Sequence, residues 1–308
     1  MPALPLVAVF GPTGVGKTAV AIALAERLRA DGEDPVAVSA DALQVYRGLE
    51  ILTGAASEQE RARLEHRLVG ILDVGETFSA GAYARLAHAE IDALLAAGRR
   101  PIVVGGTGLY LRAALAALDL RPPVAPEVRA RWSERLGAEG APALHAELAR
   151  RAPEASAGLR PTDAQRITRA LELLDAGHAP PPGAGEPDSQ LWTSDTRHPT
   201  LLAGLVRERE ELYARIDARV EAMVAAGAAE EVHAADAAGA SVTARRALGF
   251  DELLRGDVTG MRQRTRRYAK RQLTWMRRLP GVRLVDLTGR SPEDVAEELH
   301  AALRERTA

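Results

Sequence analysis

The chain has 308 residues, of which 46% are hydrophobic and 27% are charged, and its formal net charge is −2 at pH 7. These values are typical of a globular protein of one or two domains and exclude global disorder, collagen and coiled coil. Because cysteine is absent and the seven histidines are scattered, disulfides, thiolate catalysis and cysteine-dependent zinc sites are excluded. No apolar run reaches the ~20 residues of a membrane span, and no signal-peptide pattern is present, so a soluble, cytoplasmic protein is expected.

The first predicted strand, residues 4–10, leads into the pattern GxxxxGK[ST] at 11–18. Its glycines permit positive φ, so that successive backbone amides surround a phosphate, and the helix predicted from 18 to about 30 points its dipole at the anion. Lys17 supplies a compact charge, and the Thr18 hydroxyl can bind Mg²⁺, the cofactor we predict. The residues of this phosphate loop are Gly11, Pro12, Thr13, Gly14, Val15, Gly16, Lys17 and Thr18.

Asp41 follows the second predicted strand, residues 35–40. Ligands of open α/β sheets bind beyond the carboxyl ends of the strands, so this side chain is expected at the edge that carries the phosphate loop. A carboxylate there can act as a general base, bind Mg²⁺ or cap a turn, and the residues alone leave these roles open.

The pattern then predicts a polar helix at 57–66, a short extended piece at 68–74, a helix at 79–97 and a buried strand at 101–104. The turn GGTG at 105–108 follows that strand and opens a helix to about 117. Thr107 therefore points into the same crevice as Asp41, although a threonine in a glycine-rich turn is often structural. The alternation of buried strands and helices predicts a parallel sheet covered on both faces.

Residues 121–199 contain no convincing strand. Candidate helices are 126–137, 141–150 and 162–176, and the composition of 178–189 is that of a loop rich in proline and glycine. We predict that 121–199 is a helical insertion in an α/β core formed by residues 1–120 and 200–308.

The sheet resumes at 201–206, and helices at 208–226, 243–255 and 260–278, a strand at 282–287 and a helix at 292–306 follow. Residues 258–285 contain nine basic and no acidic residues. Arginine and aromatic side chains together suit RNA phosphates and bases, whereas a merely solvated helix face usually mixes both signs. We therefore predict a nucleic-acid surface on this helix. At helical spacing one stripe contains Arg264, Arg267, Arg271 and Arg278, with Tyr268 and Trp275 alongside.

Matching motifs run along nearly the whole chain, among them GPTGVGKT at 11–18, SADALQVYRGLEI at 39–51, PIVVGGTGLYLRAAL at 101–115 and RRYAKRQLTWMRRL at 266–279. A phosphate loop alone is common to many enzymes, but together these motifs are specific. The chain resembles the tRNA dimethylallyltransferases (tRNA isopentenyltransferases). The resemblance implies an α/β fold with a P-loop NTPase- or kinase-like parallel sheet and a helical insertion that grips the tRNA anticodon stem-loop.

The resemblance also implies a reaction. A dimethylallyl group moves from dimethylallyl diphosphate to N6 of adenosine 37, beside the anticodon, and diphosphate leaves. The phosphate loop would hold the diphosphate, Asp41 would take the N6 proton, Thr107 would lie between diphosphate and base, and Arg246 would lie near the diphosphate.

Further positions match tRNA contacts of the family. The sequence departs from it where Ala42 replaces the usual serine, at Leu52–Ala55, and at Glu65, which replaces the first histidine of a pair. These departures bear on contacts with tRNA and leave Asp41, Lys17 and Thr107 intact. The tRNA-contacting positions implied by the resemblance and the basic stripe are Asp41, Ala42, Leu43, Gln44, Thr107, Arg129, Gln165, Arg166, Ile167, Thr168, Arg169, Arg264, Arg267, Lys270 and Arg271.

Three alternative functions compete with tRNA prenylation. A small-molecule kinase would use ATP in the same loop but leaves YAKRQLTW unexplained. An RNA-binding module leaves the phosphate loop and Asp41 unexplained. A prenyltransferase of free adenine nucleotide would need neither an insertion nor a basic helix. A monomer is expected.

Overall fold

The computed structural model describes residues 5–118, 120–180 and 190–307. The chain divides into two compact units, Met1–Asp119 with Thr193–Ala308, and Leu120–Trp192. The insertion predicted at 121–199 starts where the second unit starts but extends beyond its end, since the segment before the next strand belongs to the first unit. The loop predicted at 178–189 lies outside the described residues from 181 onward.

Six parallel strands form the sheet of the first unit, in the spatial order β3-β2-β4-β1-β5-β6. The strands are β1 (Leu6–Phe10), β2 (Pro35–Ser39), β3 (His66–Arg67), β4 (Arg100–Gly105), β5 (Thr200–Val206) and β6 (Arg283–Asp286). Every residue of β1 and β2 is buried, which explains their unbroken apolar sequence. The predicted parallel α/β sheet is confirmed.

The strand order brings three loops together. Val9 of β1 pairs with Val104 of β4, and Ser39 of β2 pairs with the same Val104. The segments that follow these strands therefore leave the carboxyl edge of the sheet side by side: the phosphate loop after β1, Asp41 after β2 and the turn 105–108 after β4. This edge is where parallel α/β folds bind their ligands.

The α-helices are α1 (Lys17–Ala30), α2 (Glu50–Thr53), α3 (Glu58–Arg63), α4 (Ala80–Ala96), α5 (Gly108–Leu115), α6 (Pro126–Arg151), α7 (Pro153–Ser156), α8 (Ala164–Asp175), α9 (Arg209–Ala225), α10 (Ala228–Ala237), α11 (Phe250–Leu254), α12 (Val258–Met276) and α13 (Pro292–Thr307). Helix α1 packs on α13, α4 on α5 and α9 on α12. Leu24 and Leu28 of α1 join Val295 and Leu299 of α13 in the main hydrophobic core. In the part of the chain that the structure describes, no helix is both long and apolar enough to cross a membrane.

The second unit has its own core, in which Trp132 and Leu148 of α6 pack with Ile167 and Leu171 of α8. The Asp175 carboxylate accepts a hydrogen bond from Trp132 Nε1 at 2.8 Å and another from Arg151 at 2.5 Å. A hydrophobic cluster and a charge-assisted network thus join the two helices without any strand among the residues described.

Two sequence predictions need correction, and one helix was not predicted. The extended piece expected at 68–74 is a two-residue strand at His66–Arg67 with a bridge between Tyr46 and Leu72. The helices expected at 126–137 and 141–150 are confirmed, because the non-helical residue Gly140 separates two helical stretches within α6. The helix expected at 243–255 is a 3₁₀ turn, Ala244–Arg246, followed by α11. Helix α10 was missed because its alanine-rich sequence has little apolar periodicity.

Candidate active site

The phosphate loop has the backbone geometry of an anion cradle. Gly14 and Gly16 have φ of 81° and 111°, values that favour glycine, and α1 starts directly after them at Lys17. The Lys17 ammonium donates hydrogen bonds to the backbone oxygens of Gly11 at 3.1 Å and Pro12 at 3.0 Å. The loop therefore folds around its own lysine, at the positive end of a helix.

Two arginines hold the loop from outside. Arg215 of α9 donates through Nε to the Gly14 oxygen at 3.0 Å, and Arg207, just after β5, donates to the Val15 oxygen at 3.4 Å. Arg207 is also paired with Glu211. Because these cations bind loop carbonyls, they stabilise the conformation that leaves backbone amides for an anion.

Lys17 has a second cation beside it. Burial and the nearby Arg219 guanidinium lower the pKa of Lys17 to about 8, while Asp41 acts in the opposite direction. Burial also lowers the pKa of Arg219, a half-buried residue of α9. The charge of Arg219 thus acts on Lys17, and a site with two such cations gains from binding a multiply charged anion.

The Arg219 side chain packs against the backbone of Gly54. Its guanidinium donates to the Gly54 oxygen at 3.3 Å, and a Cβ on Gly54 would overlap it. Gly54 lies in the loop that departs from the family pattern and has φ of 58°. Sequence reasoning missed Arg219, because no motif marks it and its neighbours are far away in the chain.

Asp41 caps a turn and also belongs to the charged cluster. Its Oδ1 accepts the Leu43 amide at 2.9 Å. Burial is the main cause that raises the pKa of Tyr83, Tyr110 and Tyr268, and the Asp41 charge adds to it; the same charge opposes the lowering of the pKa of Lys17. The carboxylate thus lies among the phosphate-loop lysine and buried phenols, where a capping role and a catalytic role are compatible.

Thr107 contacts helix α12. The hydroxyls of Thr107 and Tyr268 are 3.1 Å apart. Burial, followed by Asp41, raises the pKa of Tyr268 to about 12, so this phenol stays protonated at neutral pH. Sequence reasoning had treated Tyr268 as part of an outer RNA surface, whereas the structure places its hydroxyl at the predicted catalytic turn.

Two more residues of α12 contact the catalytic loops. Gln272 accepts the Thr13 amide at 2.9 Å and donates to the Gly106 oxygen at 2.7 Å. The Trp275 indole lies on Gly108 so closely that a Cβ there would overlap the ring. Tyr268, Gln272 and Trp275 follow helical spacing and therefore share the inner face of α12.

A group of tyrosines lies near the exposed Arg246. Tyr83 donates to the Ser39 oxygen at 3.0 Å, and its ring lies 4.7 Å from that of Tyr110. Burial, Tyr46 and Asp41 raise the pKa of Tyr110 to about 12, and the charge of Arg246 opposes them. Both Arg246 and Asp41 thus act on Tyr110 through their charges, and the predicted place of Arg246 near the diphosphate stays a prediction.

The Gln44 side chain makes two hydrogen bonds within the protein. Ser39 Oγ donates to its Oε1 at 2.9 Å, and its Nε2 donates to the Gly54 oxygen at 3.2 Å, the same oxygen that Arg219 binds. The neighbouring Ala42 and Leu43 are half-buried. Gln44 is therefore built to hold the Gly54 loop in place, and its predicted contact with tRNA stays a prediction.

The cations of α12 fall into two groups. Arg264 donates to both oxygens of the buried Glu252, at 2.9 and 3.0 Å, while Arg262 pairs with Glu221 and Arg266 with Asp217. Neighbouring helices thus supply acids that α12 lacks, and Arg264 of the predicted stripe is held in such a pair. Arg267, Lys270 and Arg271 are exposed on the outer face.

The predicted RNA contacts of the second unit also divide by burial. Arg129, Gln165 and Arg166 are exposed, and Arg169 is paired with Glu172 at 3.1 Å. Ile167 is 0% exposed in the core and Thr168 is buried. The Ile167 side chain packs in the core of this unit, because one face of α8 packs on α6, and the tRNA contact predicted at Ile167 and Thr168 stays a prediction.

Similarity to known proteins shows the family to which the chain belongs. The family model described as IPP transferase matches residues 44–279. A tRNA dimethylallyltransferase from Thermobifida fusca is 41% identical over 288 residues, covering 90% of this chain and 88% of the relative. Another, from Kineococcus radiotolerans, is 42% identical over 313 residues, with 97% and 96% covered. This chain belongs to the IPP transferase family.

A solved structure agrees with this membership. The full-length tRNA isopentenylpyrophosphate transferase from Bacillus halodurans superimposes with a TM-score of 0.70 at 31% identity, covering 99% of this chain and 98% of that one. The P-loop NTPase-like fold expected from the motifs is therefore confirmed, and the resemblance seen in the sequence is a true family relationship.

Proposed function

We propose that this protein transfers the dimethylallyl group of dimethylallyl diphosphate to N6 of adenosine 37 in the tRNA anticodon loop. As an IPP transferase it is a prenyltransferase, and its relatives are enzymes that act on tRNA. The observation that supports the finer statement is the convergence of the phosphate loop, Asp41 and Thr107 at one edge of the sheet. This arrangement holds an anionic leaving group and a proton acceptor on adjacent loops.

The phosphate loop and two cations fit the diphosphate. The loop amides, the α1 dipole and Lys17 bind phosphoryl oxygens whatever group they carry. As the bond between C1 of the dimethylallyl group and oxygen breaks, its electron pair passes to the diphosphate. Lys17 and Arg219 stabilise this growing charge more than they stabilise the bound substrate, which accelerates the step.

Asp41 fits the role of base. The N6 amine of adenine is a poor nucleophile because its lone pair is delocalised into the ring. While N6 forms its bond to C1, the Asp41 carboxylate takes the proton that N6 loses, and diphosphate leaves with the electron pair of the broken bond. Thr107, held by Tyr268, lies on the adjoining turn and can orient either substrate.

Mg²⁺ fits beside the phosphate loop. Thr18 is the second residue of α1, and within the described ranges no other group binds its hydroxyl. No cluster of three acidic or histidine side chains among the described residues offers a separate metal cage, so Thr18 and diphosphate oxygens would hold the ion. When bound, Mg²⁺ neutralises charge on the diphosphate.

We propose that the protein works as a cytoplasmic monomer on the anticodon stem-loop. Two sets of exposed side chains support contact with RNA phosphates, one on each unit. The first is on the outer face of α12, and the second is on α6 and α8. The residues of these sets are Arg267, Lys270, Arg271, Arg129, Gln165 and Arg166.

One experiment separates this function from its alternatives. Purified protein with Mg²⁺ and labelled dimethylallyl diphosphate is offered tRNA, a tRNA with guanosine at position 37, or AMP, and in parallel ATP with small acceptors. Label on the tRNA alone, absent from the variant tRNA, supports the proposal. Label on AMP, or phosphate transfer from ATP, would contradict it in favour of a nucleotide prenyltransferase or a kinase.

A further inference from the structure

Gln272 joins two catalytic loops that are far apart in the sequence. Its side-chain amide accepts the Thr13 amide of the phosphate loop at 2.9 Å and donates to the Gly106 oxygen of the turn that carries Thr107, at 2.7 Å. Both ends of the amide are therefore used, each by a different loop. The two loops follow β1 and β4, neighbouring strands of the sheet.

The Gln272 side chain lies very close to the backbone of Gly106. A Cβ on Gly106 would collide with the Gln272 amide and would lie 3.4 Å from Lys17 Nζ. The backbone of the turn thus lies against the Gln272 amide and close to the lysine of the phosphate loop. Because the Thr13 amide donates its hydrogen bond to Gln272, the other backbone amides of the loop remain to bind the diphosphate.

We propose that Gln272 is a positioning residue that sets the separation between the phosphate loop and the Thr107 turn. This inference rests on the proposed function: the first loop holds the diphosphate and the second borders the acceptor adenine. The separation of the loops therefore sets the distance from C1 of the dimethylallyl group to N6. Gln272 acts through the two loops, which engage both polar atoms of its side-chain amide.

We expect that loss of the Gln272 hydrogen bonds lowers the rate of dimethylallyl transfer. Bond formation needs reacting atoms about 3–3.5 Å apart, and a displacement near 1 Å costs on the order of 100-fold. The affinity for dimethylallyl diphosphate should change less, because the remaining loop amides, Lys17 and Arg219 are intact. Affinity for tRNA should stay within about twofold, since the outer face of α12 is untouched.

Two variants and a matched control test the inference. Gln272→Leu removes both hydrogen bonds at similar volume. Gln272→Glu keeps an acceptor for Thr13 but, while ionised, cannot donate to Gly106. Gln263→Glu and Gln263→Leu make the same changes at an exposed position of the same helix. Single-turnover transfer, both affinities and the melting temperature are measured for each.

The pH profile separates positioning from a general loss of structure. When protonated, the introduced carboxyl of Gln272→Glu again donates to Gly106 and accepts from Thr13. The ratio of wild-type to variant rate should therefore shrink from pH 8 to pH 5.5, each compared at the same pH. A ratio that stays constant with pH, or rates within threefold of wild type, would overturn the proposal.

Hydrogen exchange at the Thr13 amide tests the role of Gln272 independently of the proposed function. In Gln272→Leu the Thr13 amide should exchange at least tenfold faster than in wild type, while both Gln263 variants leave it unchanged. Unchanged exchange in Gln272→Leu overturns the role of Gln272 even if wild type transfers normally. A wild type that labels no tRNA overturns the proposed function instead.

Discussion

The hydroxyl of Tyr268 lies 3.1 Å from the hydroxyl of Thr107, although the two residues are 161 positions apart in the chain. This contact fixes the catalytic turn against the inner face of the helix whose outer face carries exposed cations. A single helix therefore serves both the chemistry and the RNA surface.

The first prediction concerns this contact. Tyr268→Phe keeps the buried ring and removes only the hydroxyl that orients Thr107. A hydrogen bond contributes about 0.5–1.5 kcal/mol, so single-turnover transfer should fall by about 2- to 12-fold. Tyr213→Phe, on α9, is the control and should leave the rate unchanged. Equal rates for both variants would show that the Tyr268 hydroxyl has no part in the reaction.

The second prediction separates the two groups of cations on α12. Replacing Arg267 and Lys270 by Ala should weaken tRNA binding and reduce its dependence on log salt by about 0.7–0.9 for each lost phosphate contact. Arg264→Ala should leave that slope unchanged and lower stability by about 1–3 kcal/mol, because the Glu252 carboxylate loses its partner. Filter binding over a salt series and thermal unfolding measure these effects. The reverse pattern would contradict the assignment of faces.

The third prediction concerns the charge of Lys17. Its pKa is lowered to about 8 in the free protein, and a bound diphosphate favours the charged form and raises the pKa again. Affinity for dimethylallyl diphosphate should therefore be flat below pH 8 and fall above it, by up to about tenfold per pH unit. Calorimetry in buffers of different ionisation heat should show proton uptake near pH 8.

Lys17→Arg is the control for that titration. Its guanidinium stays charged, so the fall above pH 8 should disappear. The planar group fits the tight loop badly, and affinity at pH 7 should be lower than that of wild type. Affinity of the arginine variant equal to wild type at pH 7, or a pH dependence that persists in it, would contradict the role given to Lys17.

The fourth prediction concerns the glycine beside Arg219. Gly54→Ala should displace the guanidinium and weaken diphosphate binding. Gly48→Ala is a matched control, because Gly48 also has positive φ, 77°, but a Cβ there meets nothing within 4 Å. Both variants carry a backbone cost of about 1–2 kcal/mol. Equal diphosphate affinities for the two would contradict a contribution of Arg219 to this site.

The sheet and the phosphate loop could be predicted because their signals are local. Buried strands produce unbroken apolar runs, and GPTGVGKT carries its own backbone requirements. Helix α10 was not predicted, because its many alanines give no apolar contrast between the two faces of the helix. The burial of the Ile167 side chain does not follow from a run of consecutive positions matched to tRNA contacts, because a helix buries one side of itself.

The remaining site residues depend on the order of the strands. Gln272 meets Thr13 across 259 positions and Gly106 across 166, and no spacing in the sequence indicates either contact. Arg219 likewise reaches Lys17 only because α9 follows a strand beside β1. The ion pairs of α12 are also hidden from the sequence, because the acidic partners, such as Glu252, lie on other helices.

The central claim is that Asp41 takes the N6 proton. Asp41→Asn is nearly isosteric, and its amide oxygen can still accept from Leu43, so the turn and the phosphate loop should stay folded. Loss of a general base costs about 10²–10⁴-fold in rate.

The most direct test is single-turnover transfer of dimethylallyl to tRNA by Asp41→Asn, with diphosphate affinity and melting temperature measured on the same protein. The account predicts a rate at least 100-fold below wild type, with affinity and melting temperature preserved. A rate within tenfold of wild type, or loss of diphosphate binding together with the rate, would contradict the assignment of Asp41 as the base.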